Sequence, residues 1–352
     1  MPERRTVMKK YLLPQGGNYY KANLHCHSTF SDGAYSPREL KEKYMEQGYS
    51  IIAYSDHNIL ACHHDELSDG DFLALNAMEF NICQTNADKT PMDFNLKKSA
   101  HFGLIAKDPR NVKNPFFAKE FLTKQSKIQG FEPKFHENDP EFEREYTKEC
   151  INRAIQQAKD RGFFVIYNHP TWSLEGYNDY SAYEGFDAIE MFNYHNYVRG
   201  FPEYNPRVFD DLLRQNKRVT CVSTDDNHNT RLADSFGGFT MIKAEELSYE
   251  SIIKALEDGN FYASCGPIIR ALWYEDKKIC IECEPCKRIQ FSTAITLAYS
   301  VRAKEGEELT YAEFPVDPSY GYVRITLTGE KGRKANTNAY FLEELMKEDA
   351  SL

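Results

Sequence analysis

The stretch NLHCHSTFSDG, residues 23–33, places two of the chain's ten histidines one residue apart, directly after an apolar start. Residues two apart on a strand point to the same face, so His25 and His27 would project together and Cys26 away from them. Neutral imidazoles side by side are good ligands for Zn, Mn or Fe. An isolated HxH pair has an alternative explanation as two hydrogen-bonded structural histidines.

The rest of the chain supplies a context for this pair. From about residue 20 to 245, short apolar runs typical of strands alternate with stretches of helical spacing, such as SPRELKEKYMEQG with its Ser-Pro start and Gly stop. Strands alternating with helices predict an α/β fold with a parallel sheet covered by helices. Seven or eight such units predict an irregular TIM-like barrel.

Almost every predicted strand delivers a histidine or a carboxylate, usually at its C-terminal end. That end is the face on which barrels build their active sites. The side chains concerned are Asp56, His57, Glu79, His101, His169, Asp226 and His228. Together with His25 and His27 they outnumber the ligands of one tetrahedral zinc ion, so the pattern predicts more than one ion.

The order of these motifs resembles the PHP family, named for polymerase and histidinol phosphatase. The family has an HxH motif, an (S/T)DH motif, a later Glu, two separate His and a terminal DxH, and all are present here over about residues 20–245. Asp32 matches an Asp of the branch that hydrolyses small phosphoesters. The segment GNFYASCGP, residues 259–267, is similar to one in free-standing PHP hydrolases.

The resemblance implies an irregular (β/α)7 barrel with a trinuclear centre of three divalent ions, zinc, manganese or iron. It assigns the ligands to three sites: His25, His27, Glu79 and Asp226 to the first, Glu79, His101 and His169 to the second, and Asp32, His57 and His228 to the third. A metal-activated hydroxide would attack the phosphorus of a small-molecule or nucleotide phosphoester. The catalytic set would be Glu79, Asp226 and His228, with Asp56 orienting a ligand histidine.

The sequence also suggests alternative ligands to His101 and candidates for binding the substrate. His101 follows Glu79 by twenty-two residues across a polar stretch, so His63 or His64 is the alternative ligand if that stretch does not bring His101 back. Arg231, Arg199 and His195 are candidates for binding the substrate, because a phosphoester should meet cationic side chains.

The domain prediction places a metal-dependent hydrolase barrel at residues 1–266 and a small, mostly β domain resembling a sandwich at 267–352. Residues 107–147 form a long insertion that is either a binding loop or a surface excursion. Cys280, Cys283 and Cys286 form CxxCxxC, but no fourth cysteine follows. A spacing of three on a strand predicts neighbours on opposite faces, so ordinary thiols are preferred to a metal site.

Composition limits the partners. The formal net charge of −10 argues against nonspecific binding to nucleic acid or an anionic membrane. The first ten residues lack a signal-peptide apolar core, and nine scattered cysteines suggest reduced thiols, so a soluble cytoplasmic protein with no membrane partner is expected. The predicted partner is a small phosphoester or short nucleotide substrate, without a stable nucleic-acid complex.

Three other functions stay open on the residues alone. A related metallohydrolase could cleave an amide, carbamate or ester, although such barrels typically bridge their metals with a modified lysine rather than a glutamate. A metal-stabilised domain could bind a partner without catalysis. An exonuclease acting on short oligonucleotides is the third, and its activity would fall steeply with salt.

Overall fold

The computed structural model describes residues 9–84, 97–117 and 131–347. The strands in chain order are β1 (Lys10–Tyr11), β2 (Asn18–Cys26), β3 (Ile51–Tyr54), β4 (Leu73–Cys83), β5 (Ser99–Ala106), β6 (Phe163–Tyr167), β7 (Ala188–Asn193), β8 (Thr220–Thr224), β9 (Phe239–Ala244), β10 (Phe261–Ser264), β11 (Ile269–Glu275), β12 (Lys278–Cys286), β13 (Arg288–Thr293), β14 (Ala298–Arg302), β15 (Leu309–Pro315), β16 (Tyr322–Thr328), β17 (Lys334–Thr337) and β18 (Tyr340–Phe341). The helices are α1 (Pro37–Glu46), α2 (His64–Leu67), α3 (Lys148–Asp160), α4 (Tyr177–Tyr180), α5 (Tyr194–Val198), α6 (Pro206–Arg214), α7 (Tyr249–Glu257) and α8 (Leu342–Lys347).

Helix α1 shows how local sequence sets an element. Ser36 accepts a hydrogen bond from the Glu39 backbone and Glu39 accepts one from Ser36, a capping box, with Pro37 in the first turn. The Ser-Pro start predicted for this helix is therefore confirmed. Among the described residues, no helix is long and apolar enough to cross a membrane.

One large mixed sheet carries most of the chain. Its strand order is β14-β13-β16-β17-β10-β9-β2-β3-β4-β5-β6-β7-β8, with β18 beside β16. Strands β2, β3 and β4 are parallel, as are β6, β7 and β8, but β5 runs antiparallel to both of its neighbours. The α/β class is confirmed, while the all-parallel arrangement is wrong at β5.

A closed barrel is not confirmed. In the described residues β2 and β8 meet without a ladder, and two backbone bonds join them beyond the end of β8: His27 N–H to Asn227 O at 3.2 Å and Asp226 N–H to His25 O at 2.9 Å. The reason is that β9 already pairs with β2 over Asn18–Ala22, which leaves only the C-terminal end of β2 open on that edge. Backbone hydrogen bonds between these two parts of the sheet are thus limited to the C-terminal end of β2, where His25 and His27 lie.

The last strands build a second core. Apolar side chains of β11, β12 and β15, which form a separate sheet with β1, pack with those of β13 and β16; they include Ile279, Ile281, Phe291, Phe314, Ile325 and Leu327. Two sheets sharing one core match the predicted sandwich in outline. The large sheet nevertheless continues into this region through pairing of β10 with β17, and a domain boundary at residue 266 stays a prediction.

Two cysteines of the motif, Cys283 and Cys286, lie inside this second core. The pairing of β12 with β15 is irregular between Glu282 and Cys286, and the strict alternation of buried and exposed side chains is lost there. Cys283 and Cys286 therefore share the core, with their sulfurs 3.8 Å apart, and the prediction of opposite faces is wrong for this pair. In the described part of the chain, the side-chain groups suited to a metal ion contain no cysteine.

The insertion predicted at residues 107–147 is described except for 118–130. Its described flanks pack on the body of the molecule: Phe116 and Phe142 are buried against Phe80. Arg144 donates to the Asn81 backbone carbonyl at 2.8 Å and to the Asn58 side chain at 3.0 Å. These flanks are thus part of the fold rather than an excursion from it.

Candidate metal centre

All nine predicted ligands come together at one edge of the large sheet. His25 lies at the end of β2 and His27 directly follows it, His57 follows β3, Glu79 lies in β4, His169 follows β6, and Asp226 and His228 follow β8. His101 begins β5 instead of ending it. Because β5 is antiparallel to β4, its N-terminal end lies at the same edge, and Asn81 pairs with His101.

The first group is His25, His27, Glu79 and Asp226. Their ligand atoms are mutual neighbours: His25 Nε2 lies 3.1 Å from His27 Nε2, 3.3 Å from Glu79 Oε1 and 3.2 Å from Asp226 Oδ1. His27 Nε2 lies 3.0 Å from the same Asp226 oxygen and 3.6 Å from Glu79 Oε2. Ligands at 2.0–2.1 Å from a tetrahedral ion lie roughly 3.3 Å from one another.

The second group shares Glu79. His101 Nδ1 lies 3.0 Å and His169 Nε2 3.1 Å from Glu79 Oε1, and all three side chains are buried. This resolves the alternative for His101: His63 packs against Phe30 and Tyr54 outside the group, and the ring of His64 packs on Tyr249. The inner cluster is defined here as His25, His27, Glu79, His101, His169 and Asp226.

The third group lies nearer to solvent. Asp32 Oδ2 is 3.6 Å from His57 Nε2, and Asp32 Oδ1 is 3.5 Å from His228 Nε2. The ring of His27 lies between those of His57 and His228, with centroids 4.3 and 4.2 Å away, and so connects this group to the inner cluster. The outer cluster is defined here as Asp32, His57 and His228.

Three buried residues that the sequence analysis did not single out hold the inner cluster in place. Glu190 on β7 accepts from His25 Nδ1 at 2.7 Å, which directs Nε2 toward the cluster. Asn168 donates to Glu79 Oε1 at 2.9 Å, and Asn193 donates to Asp226 Oδ2 at 3.1 Å. A lone glutamate within the apolar run AIEMFN was the available signal for Glu190.

Asp56, expected to orient a ligand histidine, makes its contacts with two serines. Its carboxylate accepts from the Ser28 backbone at 2.8 Å, the Ser28 hydroxyl at 2.7 Å and the Ser31 hydroxyl at 2.6 Å. Ser31 Oγ in turn lies 3.4 Å from His27 Nδ1. Asp56 thus positions the loop that leads to Asp32 and reaches His27 through a serine.

Asp225 holds a loop. It is fully buried and accepts backbone bonds from Phe236, Gly237 and Gly238, and a hydroxyl bond from Tyr44. Its neighbour Asp226 can then face the cluster while Asp225 anchors the loop that carries residues 229–236.

Two of the clustered residues have strained backbones. His169 has φ of +24° and Asp226 has φ of +53°, a left-handed region that residues with a Cβ atom adopt at a cost of about 1–3 kcal/mol. Backbone bonds hold both: His169 N–H donates to Glu190 Oε2 at 2.8 Å, and Asp226 N–H donates to His25 O at 2.9 Å. Such strain is typical of functional sites.

The electrostatics differ between the histidines of the inner cluster: carboxylates raise the pKa of His25 and His101, whereas burial and the imidazoles of His228 and His57 lower that of His27 to about 4. Burial would lower the pKa of His25, but Asp226, Glu79 and Glu190 outweigh it and raise that pKa well above its ordinary value. In His101 the same competition, with Glu79 as the main partner, raises the pKa to about 10. Burial alone would raise the pKa of Glu79, whereas the surrounding imidazoles lower it well below its usual range.

This donor set fits divalent cations. Glu79, Asp226 and Glu190 bring three buried carboxylates within reach of four imidazoles, and a buried carboxylate is stable only when charge or hydrogen bonds compensate it. Mixed imidazole and carboxylate donors without thiols suit zinc, manganese or iron. Among the described residues, groups able to hold an ion occur in both the inner and the outer cluster.

The outer cluster and four members of the inner cluster, Glu79, His101, His169 and Asp226, line a cleft of about 750 Å3. All three residues expected to bind the substrate line it as well: Arg199, Arg231 and His195. Asp234 accepts a hydrogen bond from His195 Nδ1 at 2.6 Å. The other ring nitrogen, Nε2, then faces Arg199, whose Nη1 lies 3.4 Å away. Trp172 completes the inner wall, with its ring 4.9 Å from His169.

Comparison with known proteins was made for sequence and for structure. No protein-family model matches the chain. The chain is 50% identical over 222 residues to the DNA polymerase/3'-5' exonuclease PolX of Bacillus subtilis, which covers 61% of this chain and 35% of the polymerase. It is 49% identical over 41 residues to a 5'-3' exoribonuclease of Haemophilus influenzae, 12% of this chain and 15% of that enzyme. The chain thus spans well under half the length of either relative.

Solved structures with a similar chain course include a two-domain protein of Bacteroides vulgatus that contains a predicted PHP-like metal-dependent phosphoesterase. It covers 96% of this chain and 100% of its own, with 18% identity and a TM-score of 0.46. Endonuclease Q, solved with a 27-mer duplex substrate, covers 68% of this chain and 57% of its own, with 14% identity and a TM-score of 0.42.

Proposed function

Because the chain resembles PHP-like proteins, we propose that it is a metal-dependent phosphoesterase that hydrolyses a small-molecule or nucleotide phosphoester. One observation carries the proposal: nine side chains, scattered over 204 positions of the sequence from His25 to His228, gather in groups whose donor atoms could share ions, and seven of them line one cleft. Chance burial of so many imidazoles and carboxylates together would be unfavourable.

The ligand assignment follows from the groups described above. His25, His27, Glu79 and Asp226 would hold one ion, Glu79 with His101 and His169 a second, and Asp32, His57 and His228 a third. Bound divalent cations supply Lewis acidity, so that a water becomes available as hydroxide near neutral pH and a phosphoryl oxygen is polarised.

The chain's own residues prepare this chemistry. Glu190 holds the His25 Nδ1 proton, so His25 keeps the tautomer that presents Nε2. Asn168 and Asn193 fix the carboxylates of Glu79 and Asp226. These bonds are made before substrate arrives, so little reorganisation is needed when charge develops on the phosphoryl group.

Cationic side chains at the cleft would orient the substrate. Arg199 and Arg231 can direct guanidinium N–H groups toward nonbridging phosphoryl oxygens, a geometry suited to bidentate binding. His195, with Nδ1 held by Asp234, has its Nε2 3.4 Å from Arg199 Nη1 and so would position that guanidinium on the same wall. The chemistry of the ester's other half stays open.

The test is phosphate release from a panel of phosphomonoesters and nucleotides, with manganese or zinc added. The His57→Ala variant should lose activity, while His136→Ala, which removes a histidine from the described part of the insertion, should not. Release that needs added metal and disappears in His57→Ala supports the proposal. Metal-loaded protein that releases no phosphate from any ester would refute it and favour amide or ester hydrolysis.

Phosphodiester hydrolysis is the second candidate. The two curated relatives carry the names of an exonuclease and an exoribonuclease, and the similarity to the first covers 61% of this chain. A short 5'-labelled oligonucleotide in the same assay separates the two candidates: shortened products indicate a phosphodiesterase, and loss of the label alone indicates a phosphomonoesterase.

A further inference from the structure

A second polar groove lies away from the histidines, on the outer face of the C-terminal strands. Along β13 the side chains of Ile289 and Phe291 enter the core, so Arg288, Gln290 and Ser292 face the other way. Helix α6 forms the opposite wall, and the space between has a volume of about 400 Å3. This space is called the oxyanion groove below.

Strand register aligns complementary groups across the groove. Arg288 is paired with Thr328, and Thr328 with Lys334, so one row holds a hydroxyl between two cations. The two outer positions lie two strand spacings apart, roughly 9.5 Å, a span that long side chains can close around one anion. The next row is Gln290, Thr326 and Asn336, which adds two amides and a second hydroxyl.

The charge of the groove is opposite to that of the chain. Four cationic side chains and one carboxylate line it, which leaves three positive charges, whereas the whole chain carries −10. The carboxylate, Asp210, is already neutralised by Arg324, whose Nε and Nη2 each donate to it at 2.7 Å. Arg207 also has a partner, because its Nε donates to Asp211 Oδ1 at 2.8 Å.

Arg288 and Lys334 remain for a ligand. Arg288 Nε is buried and makes no hydrogen bond to any described residue, a costly state for a charged donor. Lys334 Nζ makes one long bond, 3.4 Å, to the Gly332 carbonyl. A guanidinium, an ammonium and hydroxyls between them are the donors that bind phosphate oxygens.

We propose that the oxyanion groove binds a phosphate group of a small ligand, at a site separate from the histidine cleft. The ligand would accept from Arg288, Thr328 and Lys334, with Thr326 and Gln290 beside it. Binding here needs no metal and does not depend on the proposed hydrolysis.

The groove and the cleft share one segment. Tyr204 donates to Asn336 at 2.9 Å in the groove, while its neighbour Glu203 accepts from the Trp172 backbone at 2.7 Å beside the cleft. A change of activity in a groove variant would therefore be ambiguous. The test needs a readout confined to the groove.

Acetylation of Lys334 in the full chain, followed by peptide mass spectrometry, is such a readout. Inorganic phosphate at about twice its dissociation constant leaves one third of the sites free, so Lys334 should react about threefold more slowly than in chloride of equal ionic strength. Lys254 on α7, whose side chain is 72% exposed, should react at the same rate in both salts.

Arg288→Gln is the matched variant, because it leaves the labelled lysine in place. It should abolish the phosphate protection of Lys334, while Arg270→Gln, on a strand of the other sheet, should keep it. Equal rates in phosphate and chloride in the parent chain, or undiminished protection in Arg288→Gln, would overturn the proposal. Failure of the phosphoesterase assay would leave this result untouched.

Discussion

The inner and outer clusters use the same residue types in different surroundings. Side chains of His25, His27, Glu79 and Asp226 are at most 5% exposed, whereas those of Asp32, His57 and His228 are 45%, 26% and 16% exposed. The inner groups also have further partners behind them, such as Glu190 and Asn168. Because burial and outer hydrogen bonds both strengthen binding of a cation, we expect an ion in the inner cluster to be held more tightly than one in the outer cluster.

Glu79→Gln should produce the largest effect. Glu79 has oxygens within 3.6 Å of His25, His27 and His57 and lies 3.0 Å from His101, so it is common to all groups. Activity should fall by more than the roughly 100-fold expected for an outer-sphere change. Metal content measured by plasma mass spectrometry should fall by at least two ions per chain. Retention of all bound metal would contradict a bridging role.

His57→Ala should affect the outer cluster alone. The variant should lose one metal equivalent while the inner ones stay, because His57 is partly exposed and the inner ligands lie behind it. In the parent chain, dialysis against increasing chelator should remove that same equivalent first. A single concerted loss of all metal would show that the two clusters bind metal as one unit, and would contradict the expected difference between them.

Glu190→Gln should weaken the inner cluster without removing a ligand. The amide would still reach His25 Nδ1 but would no longer compensate charge, so metal affinity or activity should fall about 10- to 100-fold. Asp234→Asn, the corresponding change behind His195 near the outer cluster, should alter the inner metal affinity little. Equal effects of the two variants on the metal affinity of the inner cluster would contradict the expectation that Glu190 supports the inner cluster and Asp234 does not.

The smallest effect concerns a buried carboxylate that has no cationic partner among the described residues. Burial raises the pKa of Glu175, although hydroxyls of Tyr146, Tyr167 and Tyr183 donate to it. Its stabilising contribution is therefore fully present below the unfolded value near 4.5 and is lost as the pH rises through the folded value. The free energy of unfolding of Glu175→Gln should fall less steeply with pH above 4.5 than that of the parent.

Denaturant titrations between pH 4.5 and 7 check this expectation, with Glu149→Gln on α3 as the exposed control. Parallel pH slopes for Glu175→Gln and the parent would contradict it. The contrast with Glu79, whose pKa is lowered by imidazoles at the same degree of burial, shows that partners rather than depth decide the charge state.

Sequence reasoning reached the candidate ligands because their signal is local. His25, His57 and His169 each follow a short apolar run, and the ends of strands in a parallel sheet meet at one edge. The position of His101 was harder to predict from the sequence. It lies near the start of β5, and that end of the strand reaches the site only because β5 runs antiparallel to β4. The predicted closure of the barrel is not confirmed, because β9 takes most of the edge of β2 that closure requires, and that pairing depends on contacts between distant strands.

The chain's residue types and their spacing by themselves determined the chemistry available: imidazoles and carboxylates at strand ends, in an order that resembles one family. Tertiary structure alone decided which of them are buried, which stay exposed and which outer residues support them. Glu190 reaches His25 from 165 positions away because the large sheet brings β7 across from β2. A strand pattern records which face a side chain takes, but the partner it meets depends on how distant strands pair.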